Sequence, residues 1–367
     1  MSKPPLNPVI LISMNVAPVG GLTADVLKCV RALRAQGREV HVAYGFRGLG
    51  TLESVNDPGV RWHHMFILKR PPLLAQLMVW ISSLLIVRQI KRNAPDAIIC
   101  CFERLPIGHA VIGSPPYALW AEARKRMGKS PFSKLPLQVW NHYIDRYLWH
   151  KFTGKLVVYS ERDIQALMQR GVAEERIVQV AIPTDTKRFR PYNASDRSYI
   201  TIIGADPRLK GIDLALDVWP ELSRRFPEYK LRVVTQGWKV KMLLEKLKLP
   251  KVEMAPFRSD VEYYYHTSRL VLMPSMFESW GNVIPEALAC GIPVVASSDV
   301  PSSELINAPE MGVVFQRDGE HDAERLEAAI EQALKLGMDD QSMTRRYDKV
   351  EKYMKEKDDL LSWITTQ

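Results

Sequence analysis

Short apolar runs of β-forming residues alternate with longer stretches of helical periodicity, and the alternation starts twice. In the first half the strands read Val9–Met14, Glu39–Tyr44, Arg61–Phe66, Ala97–Phe102 and Lys155–Tyr159. Between them lie a helix from Gly20-Gly21 to Ala35, an apolar helix at Leu73–Val87, and a helix Glu161–Arg170 with Ser160 as N-cap. In the second half the strands read Tyr199–Gly204, Leu231–Val234, Leu270–Met273, Pro293–Ala296 and Gly312–Phe315, with helices at Ile212–Phe226 and 282–290 and a charged helical tract from Asp322. Strand–helix alternation predicts parallel sheets covered by helices. Two such series predict an α/β chain of two Rossmann-like domains. The expected boundaries are 1–183 for the first, 184–197 for a polar, proline-bearing linker and 198–345 for the second. The last helix, 346–367, is expected to cross back to the first.

A chain of 367 residues matches two domains of ordinary size. With 46% hydrophobic and 25% charged residues it has globular composition, which excludes long disorder and collagen-like repeats. The four cysteines form no CxxC pair and no zinc-ligand spacing, and a reduced cytosolic setting is the simplest reading. The N-terminal residues lack the pattern of a signal peptide. Leu73–Val87 is shorter than the ~30 Å hydrocarbon core as a helix, and predicts a buried or half-buried helix rather than a transmembrane span.

Charge is distributed unevenly. Residues 1–150 hold 19 Lys and Arg against 8 Asp and Glu, whereas the remainder holds 31 against 33. The basic tract Arg124, Lys125, Arg126 and Lys129 is interleaved with Trp and Tyr over 117–152. That mixture suits an anionic bilayer surface or a phosphorylated glycolipid. Single-stranded nucleic acid is the competing partner class, but no nucleic-acid module is recognisable and none is expected as a partner.

Ligands of parallel α/β sheets lie beyond the carboxyl ends of the strands. The loop after Leu270–Met273 carries Glu278, then Ser279-Trp280-Gly281-Asn282, and enters a helix at Val283 that carries Glu286. Gly281, Asn282 and Val283 could present backbone N–H groups to a diphosphate. The Glu286 carboxylate suits a ribose diol. After Tyr199–Gly204 come Arg208 and Lys210, cations able to hold phosphate oxygens. Gly20 and Gly21 follow the first strand and allow close backbone approach. No Asp-x-Asp pair sits at a strand end, so metal independence is expected.

Met273–Ala296 resembles the donor-binding motif of the retaining glycosyltransferases of family 4, which have the GT-B fold. The family's two glutamates, separated by seven residues, match Glu278 and Glu286. Pro18-Val19-Gly20-Gly21, Ser160-Glu161-Arg162-Asp163, Arg208-Leu209-Lys210-Gly211 and Ser302-Ser303-Glu304 match further family motifs in order. Within the family the layout is most similar to lipopolysaccharide core glucosyltransferases. The resemblance implies a GT-B fold and transfer of a hexose, with UDP-glucose as the leading donor, to a lipid-linked or lipopolysaccharide core acceptor. No resident cofactor is implied. It also implies a peripheral position on the cytoplasmic face of the inner membrane. Catalytic roles fall to His109, Lys210 and Glu278, donor contacts to Gly20, Gly21, Arg208, Lys210, Glu278, Gly281, Asn282, Val283 and Glu286, and sugar or acceptor contact to Asp25. A GDP-mannose transferase and an inactive nucleotide-sugar-binding scaffold are the alternatives. Two segments depart from the family pattern: Ile182-Pro183-Thr184-Asp185, and Val234-Thr235-Gln236-Gly237 near the expected base site.

Overall fold

The computed structural model describes residues 6–16, 21–47, 57–68, 71–113, 115–128, 135–194, 196–357 and 359–367. The chain divides into two compact units. Unit 1 comprises 1–119, 130–181 and 358–367, and unit 2 comprises 120–129 and 182–357.

Unit 1 holds a seven-stranded sheet: β1 (Val9–Val16), β2 (Val40–Arg47), β3 (Val60–His64), β4 (Ile98–Cys101), β5 (Ala110–Ile112), β6 (Lys155–Val158) and β7 (Ile177–Gln179). The strands are parallel in the order β3-β2-β1-β4-β5-β6-β7. Strand order therefore reverses between β1 and β4. The central strands are buried over nearly their whole length, β4 completely. This is why they read as continuous apolar runs rather than as alternation. The helices are α1 (Gly21–Ala35), α2 (Pro72–Asn93), α3 (Tyr117–Arg126), α4 (Leu135–His150) and α5 (Glu161–Met168). Ser160 caps α5, its hydroxyl accepting from the Asp163 N–H at 3.2 Å.

One helix is longer than its apolar window, and it is half-buried, in line with expectation. α2 has 22 residues, against the 15 of its apolar window, and it is not buried all round. Ala75, Val79, Ser83 and Ile90 face the core, whereas Leu74, Ile81, Leu84 and Leu85 are exposed.

Unit 2 holds a six-stranded parallel sheet: β8 (Tyr199–Ile203), β9 (Lys230–Val234), β10 (Val252–Ala255), β11 (Ser268–Met273), β12 (Val294–Ser297) and β13 (Gly312–Phe315). The order is β10-β9-β8-β11-β12-β13, so here the reversal lies between β8 and β11. Its helices are α6 (Ile212–Arg225), α7 (Trp238–Leu247), α8 (Glu262–His266), α9 (Val283–Ala289), α10 (Asp322–Ala333) and α11 (Asp340–Glu356). Trp219, Leu222 and Val218 of α6 and Leu326 and Ile330 of α10 cover the sheet.

The return to unit 1 starts later than 346. α11 is tied into unit 2 by Arg346, which is fully buried and donates to the carbonyls of Glu310 (2.6 Å), Gly291 (2.8 Å) and Gly337 (2.8 Å). Only α12 (Leu360–Thr366) packs with unit 1, against α1. The Leu360 N–H donates to the Ala181 carbonyl at 3.0 Å, and Arg38 donates to the Thr365 carbonyl at 3.2 Å. Residues 184–197 belong with unit 2, and so does the basic segment 120–129.

Leu360 and Ile364 have no exposed surface, so α12 closes the core of unit 1. Leu360→Ala should cost about 3 kcal/mol, the transfer term plus the cavity left behind. Urea unfolding followed by tryptophan fluorescence reads this as a lowered midpoint with unchanged slope.

Candidate functional site

The two loops at the β8/β11 reversal are built on each other. The loop after β8 is closed by Ile212 N–H to Pro207 O (2.8 Å) and Lys210 N–H to Asp206 O (3.1 Å). Asp206 also accepts from the Leu209 N–H at 3.0 Å. The loop after β11 joins it through Met276 N–H to Leu209 O at 2.9 Å. Gly211, at the start of α6, has φ +69° and lies against the Pro274 carbonyl, which leaves no room for a Cβ. The buried Arg317 guanidinium donates to that same carbonyl.

This scaffold brings together Lys210 and Glu278, 68 residues apart in sequence. Their ammonium and carboxylate form an ion pair, and Ser275 Oγ donates to the same Glu278 oxygen at 2.9 Å. Both side chains keep some exposure, 28% and 13%. The pair is therefore accessible to an anion, which could take the cation in place of the carboxylate.

Beyond Glu278 the chain is held from beneath. Trp280 is buried and stacks on Tyr353 of α11 with ring centroids 6.3 Å apart. Tyr353 donates to Glu304 at 2.9 Å, which gives that motif glutamate a bracing role. Gly281 has φ +104°, and a Cβ there would meet Val300 and Ser302 at 2.7 and 2.8 Å. Ser302 Oγ donates to the Gly281 carbonyl at 2.8 Å. Asn282 precedes α9 without a side-chain capping bond, and Val283 opens the helix.

Glu286, in the first turn of α9, accepts a 2.6 Å hydrogen bond from the Tyr265 hydroxyl. Burial, and secondarily the Glu286 charge, push the Tyr265 phenol well above its ordinary pKa, so it remains the donor. Arg188 adds positive potential toward Glu286. It is aimed by Asp185, whose carboxylate accepts from the N–H groups of Lys187 and Arg188 (both 3.1 Å), and it donates to Glu262 at 2.8 Å. Tyr265 and Arg188 were not singled out from sequence, and Asp185 was named only within a segment that departs from the family pattern. Asx-turn chemistry at Asp185 was the one local signal.

The basic residues separate by role. Arg208 donates to the Met127 carbonyl at 2.9 Å and lies 4.0 Å from Asp213. Arg126 is committed inside unit 2, pairing with Asp299 at 2.7 Å and donating to the Arg317 carbonyl at 2.5 Å. It is therefore a brace on the loop scaffold, where the sequence had suggested a membrane contact. Arg124 lies over the Trp120 ring at 6.0 Å, and Lys125 is exposed. Lys129 and Gly20 lie outside the described residues, and Gly21 begins α1.

Two unit 1 assignments need correction. The resemblance gives His109 a catalytic role, which suits a place beyond a carboxyl strand end, but it precedes β5 at the amino end of that strand, and its Nδ1 accepts from the Ile99 N–H at 2.9 Å. The cause is the β4–β5 connection, which contains no helix, so residue 109 has already crossed to the opposite edge. Asp25 was expected to contact sugar or acceptor. It is buried in α1, where it accepts from Lys28 at 2.8 Å, and burial raises its pKa.

At the β1/β4 reversal the structure instead places Glu103, which accepts from the Met14 N–H at 2.6 Å. Burial lifts its carboxyl pKa to about 7. Beside it, at the carboxyl ends of β1 to β3, a cavity of about 560 Å³ is lined by Met14, Asn15, Tyr44, Phe46, His64 and Ala75. Glu103 and His64 carried no distinctive sequence spacing. Among the described residues no group of three or more His, Cys, Asp or Glu is arranged around a metal position.

Residues 183–353 match the family model described as glycosyl transferases group 1. This part of the chain is therefore similar to the group 1 glycosyltransferases. An uncharacterized glycosyltransferase of Haemophilus influenzae is 26% identical over 197 residues, 49% of this chain and 56% of that protein. The chain thus matches about half the length of that relative. The solved structure of WaaG, a glycosyltransferase involved in lipopolysaccharide biosynthesis, superposes with a TM-score of 0.77 at 18% identity, covering 98% of this chain and 97% of that one. Anabaena HepE in complex with UDP-glucose gives 0.65 at 17% identity, covering 98% of each chain. These likenesses identify the fold as GT-B, as the motif order had implied.

Two outcomes follow. Tyr265→Phe removes one hydrogen bond from Glu286, so the donor KM should rise about three- to tenfold with kcat little changed. Steady-state kinetics over a donor series measures it. Glu103 holds its proton to about pH 7 when folded, against an ordinary value of 4.5. Stability should therefore fall as pH rises through that window and level off above it. Glu103→Gln keeps the acceptor for Met14 and removes this slope. It should gain about 3 kcal/mol on wild type near pH 8 and nothing near pH 4, read by chemical denaturation at both.

Proposed function

We propose that the chain is a retaining, metal-independent hexosyltransferase that carries glucose from UDP-glucose to a lipid-linked or lipopolysaccharide core acceptor on the cytoplasmic side of the inner membrane. The observation that carries this is the meeting of Lys210 and Glu278 at the β8/β11 reversal of a domain similar to the group 1 glycosyltransferases, with the Tyr265-held Glu286 on the helix that follows. The cytoplasmic side and the acceptor class rest on likeness to lipopolysaccharide enzymes and on the basic excess of residues 1–150.

Leaving-group charge is the main demand of the reaction. As the glycosidic bond breaks, the departing diphosphate gains negative charge. Lys210, exchanging Glu278 for a phosphate oxygen, supplies a fixed cation there, and Arg208 adds a second. Two cations in place of a metal ion are the basis for metal independence. Glu286, oriented by Tyr265, accepts the ribose hydroxyls. Glu278, released from Lys210, is then placed to accept hydrogen bonds from sugar hydroxyls. Retention is read as a front-face transfer, in which the leaving phosphate oxygen takes the proton of the acceptor hydroxyl. The unit 1 cavity beside Tyr44 and His64 is read as the acceptor subsite.

Incubation with a panel of UDP- and GDP-sugars and extracted glycolipid should release UDP from UDP-glucose and add one hexose to the lipid by mass. Exhaustive chelation should leave turnover unchanged. Lys210→Ala should lower kcat about 10²- to 10³-fold, the scale of losing one charge-stabilising donor. Glu286→Ala should weaken UDP binding about tenfold. Hexose transfer from GDP-mannose alone, or unaltered UDP affinity in the Glu286 variant, overturns this reading.

A further inference from the structure

The outward face of α2 has the chemistry of a membrane surface. Leu74, Met78, Ile81 and Leu85 recur at i, i+4, i+7 and i+11, so they form one stripe along the helix. Three of them, Leu74, Ile81 and Leu85, are exposed, Leu85 by 63%. The inward stripe of Ala75, Val79, Ser83 and Ile90 packs on the core, and Ser83 donates to the Val79 carbonyl at 2.6 Å. α2 is thus apolar on both faces, whereas a helix on a soluble surface is normally polar outside.

The patch extends on both sides of the helix. On one side Ser82 donates to the Phe66 carbonyl at 3.2 Å, which sets Phe66 beside the stripe with 70% of its surface exposed. On the other, Leu84 leads to Trp80, whose ring lies 5.7 Å from Trp140 of α4. Trp140 in turn lies 6.2 Å from the exposed Tyr143, and Val139 is exposed on the same helix.

Charge identifies the occupant. The helix contains no Asp or Glu from 72 to 93, and its last turns carry Arg88, Lys91 and Arg92. Among the described residues none of these three forms an ion pair. An apolar stripe ending in free cations, flanked by Trp and Tyr, matches the acyl–headgroup boundary of an anionic bilayer. The packed inner face excludes a spanning orientation, although 22 residues would suffice by length.

We infer that unit 1 docks on anionic membrane through the outer face of α2, with Phe66 and the aromatic side of α4 at the same level and Arg88, Lys91 and Arg92 on lipid phosphates. This extends the lipid-linked acceptor reading, because Ala75 of the same helix lines the unit 1 cavity. It relocates the contact from the basic tract at 124–129.

Flotation with vesicles of phosphatidylglycerol and phosphatidylethanolamine tests it, with phosphatidylcholine vesicles as the neutral comparison. The wild type should float with the anionic vesicles only. Ile81→Asp/Leu85→Asp and, separately, Arg88→Glu/Arg92→Glu should each reduce the bound fraction at least tenfold. Arg124→Glu/Lys125→Glu should float like the wild type. Circular dichroism and calorimetric UDP binding should be unchanged in all three. Normal flotation of both α2 variants overturns the proposal, as does loss confined to the 124/125 variant. A wild-type dimer in light scattering that dissociates in the Ile81/Leu85 variant without lipid also overturns it, since the face then serves a second copy. Failure of UDP to bind the wild type would count against the donor reading alone and leave the vesicle result standing.

Discussion

A parallel sheet whose strand order reverses leaves one place where consecutive carboxyl-end loops run to opposite sides. In unit 2 that place lies between β8 and β11, and every element of the candidate donor site depends on it. The two loops do not merely approach each other. A backbone hydrogen bond joins Leu209 to Met276, Gly211 lacks the side chain that would separate them, and Arg317 satisfies the carbonyl of Pro274. Arg126 then holds both Asp299 and the Arg317 carbonyl. A rigid backbone junction of this kind is what allows two flexible side chains, Lys210 and Glu278, to meet.

That pairing bears on energetics as well as position. Left apart at such a junction, the glutamate would repel an incoming anion and the lysine would remain solvated and disordered. Paired, each is held near its working position. The entropy of ordering the side chains is then met before the ligand arrives, at the cost of one exchange of partners. Partial exposure keeps that exchange affordable, because solvent screens the separating charges. Trp280 and Tyr353 fix the floor from the other side, so the loop is constrained by aromatic packing as well as by hydrogen bonds.

Local pattern revealed ten of the thirteen strands, missing the short β5, β7 and β10, and it drew attention to Lys210, Glu278 and Glu286 because each belongs to a segment with its own periodicity or motif. Partners drawn from far along the chain were invisible. Tyr265 precedes Glu286 by 21 residues and sits in a five-residue helix with no distinguishing spacing. Glu103 has no motif spacing of its own, and the length of the β4–β5 connection does not reveal which end of the sheet His109 reaches. Asp25 failed for a different reason. A single carboxylate near the start of a helix is usually solvated, and only tertiary packing decides that this one is buried beside Lys28.

The apolar window at α2 carries a more general lesson. Hydrophobic residues on every face of a helix mean that water is excluded from all sides in the working state, and burial within the protein is only one way to achieve that. Here the core can take one stripe and no more, because α2 lies along the flank of the sheet with its inner positions already filled by Met65, Val79 and Ile90. Leu74, Ile81, Leu84 and Leu85 are left exposed, and the proposed membrane docking gives that face a partner. A second copy would favour complementary charge across the interface, yet the exposed end of this helix is uniformly cationic. An extended anionic surface with an apolar interior satisfies both requirements at once, and it is also where the lipid-linked acceptor proposed above would lie.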